Sequence, residues 1–260
     1  MDNNVLTAFA ITFVAGASTS IGALLAFFVR KQDFRTMAMA MSFSAGVMIF
    51  VSFADIMPMS ARLLERAAES AESARAQMLA MFFAGALLAG IIDAFVPEHV
   101  HTEMLDGDVS RSRFGRAATM TAIALAVHNF PEGLSVFFSA VEDTRMGLAL
   151  GLAILLHNIP EGVSVALSVY HSTGSRQKAF WISTFSGLVE PLGAVVAYFA
   201  LERVLSPSLV GACMAATAGI MVFIALDELL PMAKEYDRQH GAIIGVFLGM
   251  AVIALSSFVA

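Results

Sequence analysis

Long apolar segments constrain the fold of this chain more than any other feature of its sequence. A helix that crosses a bilayer needs about 20 mostly apolar residues. Segments of this kind can be placed at 6–29, 36–58, 78–96, 117–140, 147–170, 179–202, 209–231 and 241–260. Charged residues make up only 14% of the 260 residues, whereas roughly a quarter is usual in soluble proteins. The sequence therefore predicts an all-α integral membrane protein with eight transmembrane helices.

Basic residues are distributed unevenly between the predicted loops. Ten lysines and arginines follow odd-numbered spans and five follow even-numbered spans. Because cytoplasmic loops carry an excess of basic residues, we expect both termini outside and a short cytoplasmic loop at 97–116. The spans leave little chain for anything else, so a single transmembrane domain over 1–260 is predicted. The expected surrounding is the lipid bilayer; no feature indicates nucleic-acid binding, and a homodimer is compatible with the sequence.

Two pairs of spans resemble each other. In the second and seventh, "AGVMIFVSFADIMPM" (45–59) aligns without gaps with "AGIMVFIALDELLPM" (218–232). In the first and sixth, "GASTSIGALLAFF" (16–28) aligns with "GLVEPLGAVVAYF" (187–199). Because the first three and last three spans start on opposite sides of the membrane, the alignment predicts an inverted repeat around a central pair, the fourth and fifth. Such repeats place a transporter's substrate site at mid-membrane. Chance similarity between apolar helices is the alternative.

The central pair of spans carries one hexapeptide pattern twice, "HNFPEG" at 128–133 and "HNIPEG" at 157–162. Proline removes a backbone donor, so Pro131 and Pro160 predict a kink in each span. Residues three and four apart in a helix share a face. Each hexapeptide therefore presents a histidine, an asparagine and a glutamate together: His128, Asn129 and Glu132 in one helix, and His157, Asn158 and Glu161 in the other.

The glutamates of this pattern, together with Glu190 in the sixth span, are mid-membrane carboxylates in a chain with no lysine or arginine inside any predicted span. A charge at the centre of a span costs about 2.5–3.5 kcal/mol on insertion scales, so protons or metal cations must compensate. Imidazole, amide and carboxylate groups suit Zn²⁺ and other first-row divalent ions. The single cysteine, Cys213, excludes a cysteine-based metal site.

The predicted metal site has seven residues and allows two ions. One ion would be held by His128, Glu132, His157 and Glu161. The second would be held by Asn129, Asn158 and Glu190, with Glu132 and Glu161 bridging both ions. The alternative is a buried polar network that holds the helices together and carries no ion.

The paired hexapeptides, a glutamate in the sixth span and a histidine-bearing third loop resemble the ZIP family of divalent-metal transporters, and most closely its bacterial zinc-uptake branch. The resemblance extends over essentially the whole chain. It implies a carrier, not an enzyme, that moves zinc into the cytoplasm across the bacterial plasma (inner) membrane, with iron, manganese, cobalt or cadmium as alternatives. The divalent ion is then the transported substrate and not a catalytic cofactor. The resemblance also implies that the seven residues form a two-metal transport site.

Some features depart from the family pattern or lie beyond its central motif. Many members carry a histidine-and-glutamate pattern where the fifth span here has "HNIPEG", and long histidine runs where the third loop here has only His99 and His101. These two histidines could collect an ion that leaves on the cytoplasmic side, or only solvate the loop. Further carboxylates could guide ions in and out, or simply cap helices at the membrane interface: Asp55, Asp227 and Glu228.

Two other functions use similar residues. An intramembrane zinc metalloenzyme usually presents H-E-x-x-H, with the glutamate beside a ligand acting as base. Here Asn129 and Asn158 occupy that position, and an amide cannot act as a base. A proton-coupled carrier of an organic solute could use the carboxylates as relays, but it would not explain two symmetrically placed histidines with asparagines. Zinc flux through the purified protein separates the three functions.

Overall fold

The computed structural model describes residues 3–28, 34–95, 129–204, 206–236 and 240–256, and helix is the only regular structure in these ranges. The helices are α1 (Asn3–Leu25), α2 (Phe34–Val51), α3 (Met57–Glu65), α4 (Ala71–Phe95), α5 (129–142), α6 (Thr144–Thr173), α7 (Arg176–Gly187), α8 (Val189–Val204), α9 (Pro207–Ile224), α10 (Leu230–Tyr236) and α11 (Gly241–Ser256). The predicted all-α architecture is confirmed for this part of the chain.

Most of the predicted spans coincide with long apolar helical runs. Within the described ranges, six runs are long and apolar enough to cross a membrane: Asn4–Leu25, Ala38–Glu65, Ala71–Ala94, Thr144–Leu167, Arg176–Phe199 and Pro207–Leu229. They correspond to predicted spans one, two, three, five, six and seven. The shorter apolar helix α11 corresponds to the eighth. Only the end of the predicted fourth span, in α5, is described, and the predicted loop 97–116 lies outside the described residues. The chain is a multi-pass membrane protein, and the count of eight stays a prediction.

Short polar residues and a glycine set the ends of several helices. Asp143 caps the N-terminus of α6, and its side chain accepts a hydrogen bond of 2.8 Å from the backbone N–H of Arg145. Ser175 caps α7 and Ser206 caps α9 through their hydroxyl groups. Gly174 ends α6 with a φ of 68°, a left-handed conformation that glycine adopts without steric cost. The capping residues Asp143, Gly174 and Ser175 make up the short connections from α5 to α6 and from α6 to α7.

The second and seventh spans each contain one widened, π-helical turn. It covers Ser52–Ile56 between α2 and α3, and Ala225–Leu229 between α9 and α10. A proline follows each turn at the same distance, Pro58 in the first case and Pro231 in the second. Proline cannot donate a backbone hydrogen bond, and its ring crowds the carbonyl four residues earlier. An extra residue in the preceding turn relieves that crowding, which accounts for a π-helical turn at both places.

The helices pack around a buried apolar interior and present apolar side chains outwards. α1 lies against α6, α7 and α8, whereas α2 lies against α6, α10 and α11, and α4 lies against α9. The largest buried apolar cluster includes Met48 of α2, Ile154 of α6 and Met221 of α9. On the outside, Phe83 of α4 and Phe247 of α11 are 65% and 66% exposed. An outer surface with many large apolar side chains is expected in lipid.

Backbones touch at glycines in α1 and α8. A Cβ atom on Gly22 of α1 would overlap the carbonyl oxygen of Ile159 in α6, and one on Gly193 of α8 would overlap that of Phe130 in α5. Gly22 and Gly193 align in the first and sixth spans, and Phe130 and Ile159 hold the same position in the two hexapeptides. The crossing of α1 with α6 therefore uses the same contact as the crossing of α5 with α8.

A second pair of crossings shows the same correspondence. A Cβ atom on Gly46 of α2 would overlap the carbonyl oxygen of Val246 in α11, and one on Gly219 of α9 would overlap that of Phe82 in α4. Gly46 and Gly219 align in the second and seventh spans. Small residues at such crossings let membrane helices approach closely and gain van der Waals contact. The aligned segments thus make equivalent contacts with different partner helices.

Candidate metal site

Helices α5, α6 and α8 carry the predicted metal-binding residues. Asn129 and Glu132 lie at the beginning of the described part of α5. The second hexapeptide lies in the middle of α6, which continues as a helix through Pro160. His128 is the one predicted site residue outside the described residues. The other six come from three separate helices: Asn129, Glu132, His157, Asn158, Glu161 and Glu190.

A break in the sixth span positions Glu190. Helix α7 ends at Gly187 and α8 begins at Val189. Pro191 cannot donate a hydrogen bond to the carbonyl of Gly187, four residues earlier, so the helix is interrupted there. Glu190 consequently lies in the first turn of α8, where the positive end of the helix dipole stabilises a carboxylate.

The six described residues are buried. Glu161 is 1% exposed, and the following five have no exposed surface: Asn129, Glu132, His157, Asn158 and Glu190. Glutamates are almost never buried to this degree unless they are paired or bind a cation. Three carboxylates close to one another also repel when ionised. A cation among them would offset both effects.

Each asparagine ties a hexapeptide to a neighbouring helix and to a glutamate. The amide nitrogen of Asn129 lies 3.0 Å from the carbonyl oxygen of Ser186 at the end of α7, and 3.3 Å from Oε1 of Glu161. The amide nitrogen of Asn158 donates to the carbonyl oxygen of Ala15 in α1 at 3.0 Å, and to Oε2 of Glu190 at 2.8 Å. The donors of both amides are therefore used. Their carbonyl oxygens, which are the atoms able to bind a metal, accept no hydrogen bond from any described residue.

His157 brings the two hexapeptides into contact. Its Nε2 lies 3.3 Å from Oε2 of Glu132, with both side chains fully buried. Neither ring nitrogen of His157 makes a hydrogen bond to a group in the described ranges, and the same holds for Oε1 of Glu190. An imidazole nitrogen, two amide oxygens and a carboxylate oxygen can all donate an electron pair to a metal ion. A cation is the partner that such a set of atoms fits.

The site residues meet in pairs across the helix interfaces. The structure brings Glu132 next to His157, Asn129 next to Glu161, and Asn158 next to Glu190, each between different helices or hexapeptides. Among the residues described, no three side chains of histidine, cysteine, aspartate or glutamate form one ready-made metal cluster. Because His128 lies outside the described residues, the predicted ligand sets of the two ions stay predictions.

Other candidate residues lie in the two π-helical turns or outside the described residues. Asp55 occupies the first π-helical turn and is half-buried, while Asp227 and Glu228 occupy the second. His99 and His101 fall outside the described residues. Both π-helical turns escaped sequence analysis, although the prolines that follow them, Pro58 and Pro231, were a usable signal. The backbone carbonyls that hold Asn129 and Asn158 were also missed, because a carbonyl oxygen is present in every residue and gives no pattern.

Comparison with known proteins gives a consistent result. A family model described as "ZIP Zinc transporter" matches residues 97–257. The "Zinc transporter ZupT" of Nitratidesulfovibrio vulgaris is 44% identical over 272 residues, which cover 98% of this chain and 97% of that protein. The proteins of the same name from Streptococcus mutans and Chlorobium luteolum are 44% and 45% identical, and in both cases the match covers 98% of this chain and 98% of the relative.

Proposed function

We propose that this chain, which belongs to the ZIP family, transports zinc across a membrane through the buried residues of α5, α6 and α8. It is a transporter and not an enzyme, as its family membership implies. One observation carries the proposal: the carboxylates of Glu132, Glu161 and Glu190 are buried with a histidine and two asparagines inside apolar helices, where a divalent cation would offset their mutual repulsion.

The proposed transport site holds two divalent ions. One is bound by His128, Glu132, His157 and Glu161, and the other by Asn129, Asn158 and Glu190, with Glu132 and Glu161 shared. The orientation of the asparagines supports this assignment, because both amide nitrogens point to backbone carbonyls and to glutamates while the amide oxygens accept no bond from a described residue. Shared carboxylates keep the ions close, so that mutual repulsion helps each ion to leave.

The membrane arrangement belongs to the same proposal. A single domain over 1–260 crosses the membrane eight times with both termini outside, and the loop 97–116 is cytoplasmic. The first three and last three spans form an inverted repeat, which the matched glycine crossings of α1, α2, α8 and α9 support. Zinc moves into the cytoplasm across the bacterial plasma (inner) membrane. Ions such as iron, manganese, cobalt and cadmium are further substrates, since nitrogen and oxygen ligands accept all of them.

Zinc flux into proteoliposomes tests the proposal. The purified chain should carry radiolabelled zinc down its gradient, and Glu132→Ala together with Glu161→Ala should remove that flux. Glu69→Ala is the matched control, because this glutamate is exposed and outside the apolar helices. Flux of an organic solute without zinc flux would favour the proton-coupled carrier instead. Absence of metal flux from a folded preparation would refute transport.

A further inference from the structure

One residue of α1 takes the place in the repeat that Glu190 takes in α8. The alignment of 16–28 with 187–199 sets Thr19 opposite Glu190. The structure repeats this correspondence in the backbone: a Cβ atom on Gly162 of α6 would overlap the carbonyl oxygen of Thr19, and one on Gly133 of α5 would overlap that of Glu190. The two residues therefore hold equivalent positions against the two hexapeptides.

The side chains of these two residues are equivalently placed as well. A Cβ atom on Gly16 would lie 3.2 Å from the Cβ of Glu190, and one on Gly187 would lie 2.6 Å from the Cβ of Thr19. Gly16 and Gly187 are themselves aligned positions. The site is thus symmetric in its backbone but not in its chemistry, because one half carries a carboxylate where the other carries a hydroxyl.

The hydroxyl of Thr19 is buried and unsatisfied within the described part of the chain. Thr19 has no exposed surface, and its Oγ1 makes no hydrogen bond to any described residue. Threonine in a membrane helix usually donates to a carbonyl of its own helix. Thr12, which precedes Thr19 in α1, makes such a bond: its Oγ1 donates to the carbonyl oxygen of Ala8 at 2.9 Å. A buried hydroxyl without such a bond is costly unless another partner engages it.

The hydroxyl of Thr19 lies close to the backbone that holds one of the two asparagines of the candidate metal site. It lies beside Gly187, the residue after Ser186, and the carbonyl of Ser186 holds the amide of Asn129. In the equivalent half, Glu190 bonds directly to Asn158. Thr19 therefore belongs to the half of the site that contains Asn129, whose amide oxygen also accepts no bond from a described residue.

We propose that Thr19 is a specificity-determining residue of the metal site, and that its hydroxyl oxygen interacts with a divalent ion on the side opposite Glu190. This inference rests on the proposed transport function. The ion that we propose between Asn129 and Asn158 then meets the carboxylate of Glu190 on one side and only a neutral hydroxyl on the other, which is one negative charge fewer than a fully symmetric site would supply. A neutral hydroxyl oxygen suits Mn²⁺ better than Zn²⁺, which also binds nitrogen well. Thr19 thus widens the range of ions that the site accepts.

Metal binding by matched valine variants tests this inference. The full chain, stripped with chelator in detergent, is titrated with Zn²⁺ and with Mn²⁺. Thr19→Val keeps the volume and removes the hydroxyl, and it should weaken Mn²⁺ binding about three- to tenfold with a smaller loss for Zn²⁺. Thr12→Val in the same helix should leave both affinities unchanged, because its hydroxyl bonds only to Ala8. Thr19→Ser should retain the wild-type affinities.

Stability of the metal-free protein separates a metal-binding role from a packing role. If the hydroxyl is unsatisfied without metal, Thr19→Val should unfold at the same temperature as wild type or a higher one. Unchanged Mn²⁺ and Zn²⁺ affinities for Thr19→Val, or equal losses for Thr12→Val, would overturn the inference. If the valine variant does not fold, Thr19→Ala and Thr19→Ser give the same contrast, and equal affinities for the two would overturn it. Wild-type protein that binds neither ion would instead refute the proposed function.

Discussion

Nε2 of His157 lies 3.3 Å from Oε2 of Glu132, so a histidine of one hexapeptide meets a glutamate of the other deep inside the helix bundle. The contact joins α5 to α6 at residues that have no exposed surface. Because α6 also reaches Glu190 through Asn158, three helices converge on one buried polar centre. The predictions about zinc transport and zinc binding therefore concern the residues of this polar centre.

Removing Glu132 should have a larger effect than removing Asn129. Glu132→Ala deletes a charge that we propose to be shared by both ions, so zinc uptake should fall to background. Asn129→Ala deletes one neutral oxygen ligand and should lower uptake only about fivefold. Initial rates of zinc uptake in proteoliposomes measure the difference. Equal and mild losses would show that Glu132 does not bridge two ions.

His157 should be required for tight binding of one ion. His157→Gln keeps a polar side chain of similar length but removes the imidazole ligand, and the zinc affinity of one site should fall at least about tenfold. His240→Gln is the control, because His240 is exposed and far along the chain from the hexapeptides. Calorimetric titration of the stripped protein with zinc gives both affinities. Identical titrations for the two variants would remove His157 from the ligand set.

The glycine crossings should determine stability rather than transport chemistry. Gly22→Ala would force a methyl group against the backbone of Ile159, and overpacking of this kind typically costs about 1–3 kcal/mol. Gly90→Ala is a milder change, since the added carbon would meet only the ring edge of Phe223 at 3.1 Å, and a ring can turn aside. Thermal unfolding in detergent compares the two. A Gly22→Ala protein as stable as Gly90→Ala would contradict the close crossing.

Membrane orientation can be tested with cysteines, because the chain has only one of its own. In a Cys213→Ala background, Glu69→Cys should react with a membrane-impermeant thiol reagent added outside intact cells. Ser110→Cys, in the predicted cytoplasmic loop, should react only after permeabilisation. The opposite pattern of labelling would show that the chain has the reverse orientation, contrary to the prediction from its basic residues.

Much of the fold and of the site composition was predictable because each rests on residue type. Apolar stretches identified six helical runs that the structure contains, and the repeated "HNxPEG" pattern pointed to residues that are all buried where they are described. The contacts between these residues could not be predicted from the sequence. The contact of Asn158 with Glu190 depends on the break before Pro191, and its other bond is to the backbone of Ala15, which any residue could provide.

Thr19 illustrates the remaining gap between sequence and structure. The alignment of the first and sixth spans already set it opposite Glu190, yet a threonine in an apolar helix usually bonds to its own backbone and attracts no attention. Only the buried, unpartnered hydroxyl among the described contacts distinguishes it from Thr12. A repeat alignment therefore becomes informative about the site where the two halves differ in chemistry, as well as where they agree.

The central claim is that divalent ions bind among α5, α6 and α8, and anomalous X-ray diffraction from zinc-soaked crystals tests it most directly. Data collected on both sides of the zinc absorption edge locate zinc without reference to the ligands. We expect two anomalous peaks, both within coordination distance of Glu132 and Glu161. Zinc peaks only at the protein surface, with no peak among these buried carboxylates, would contradict the account.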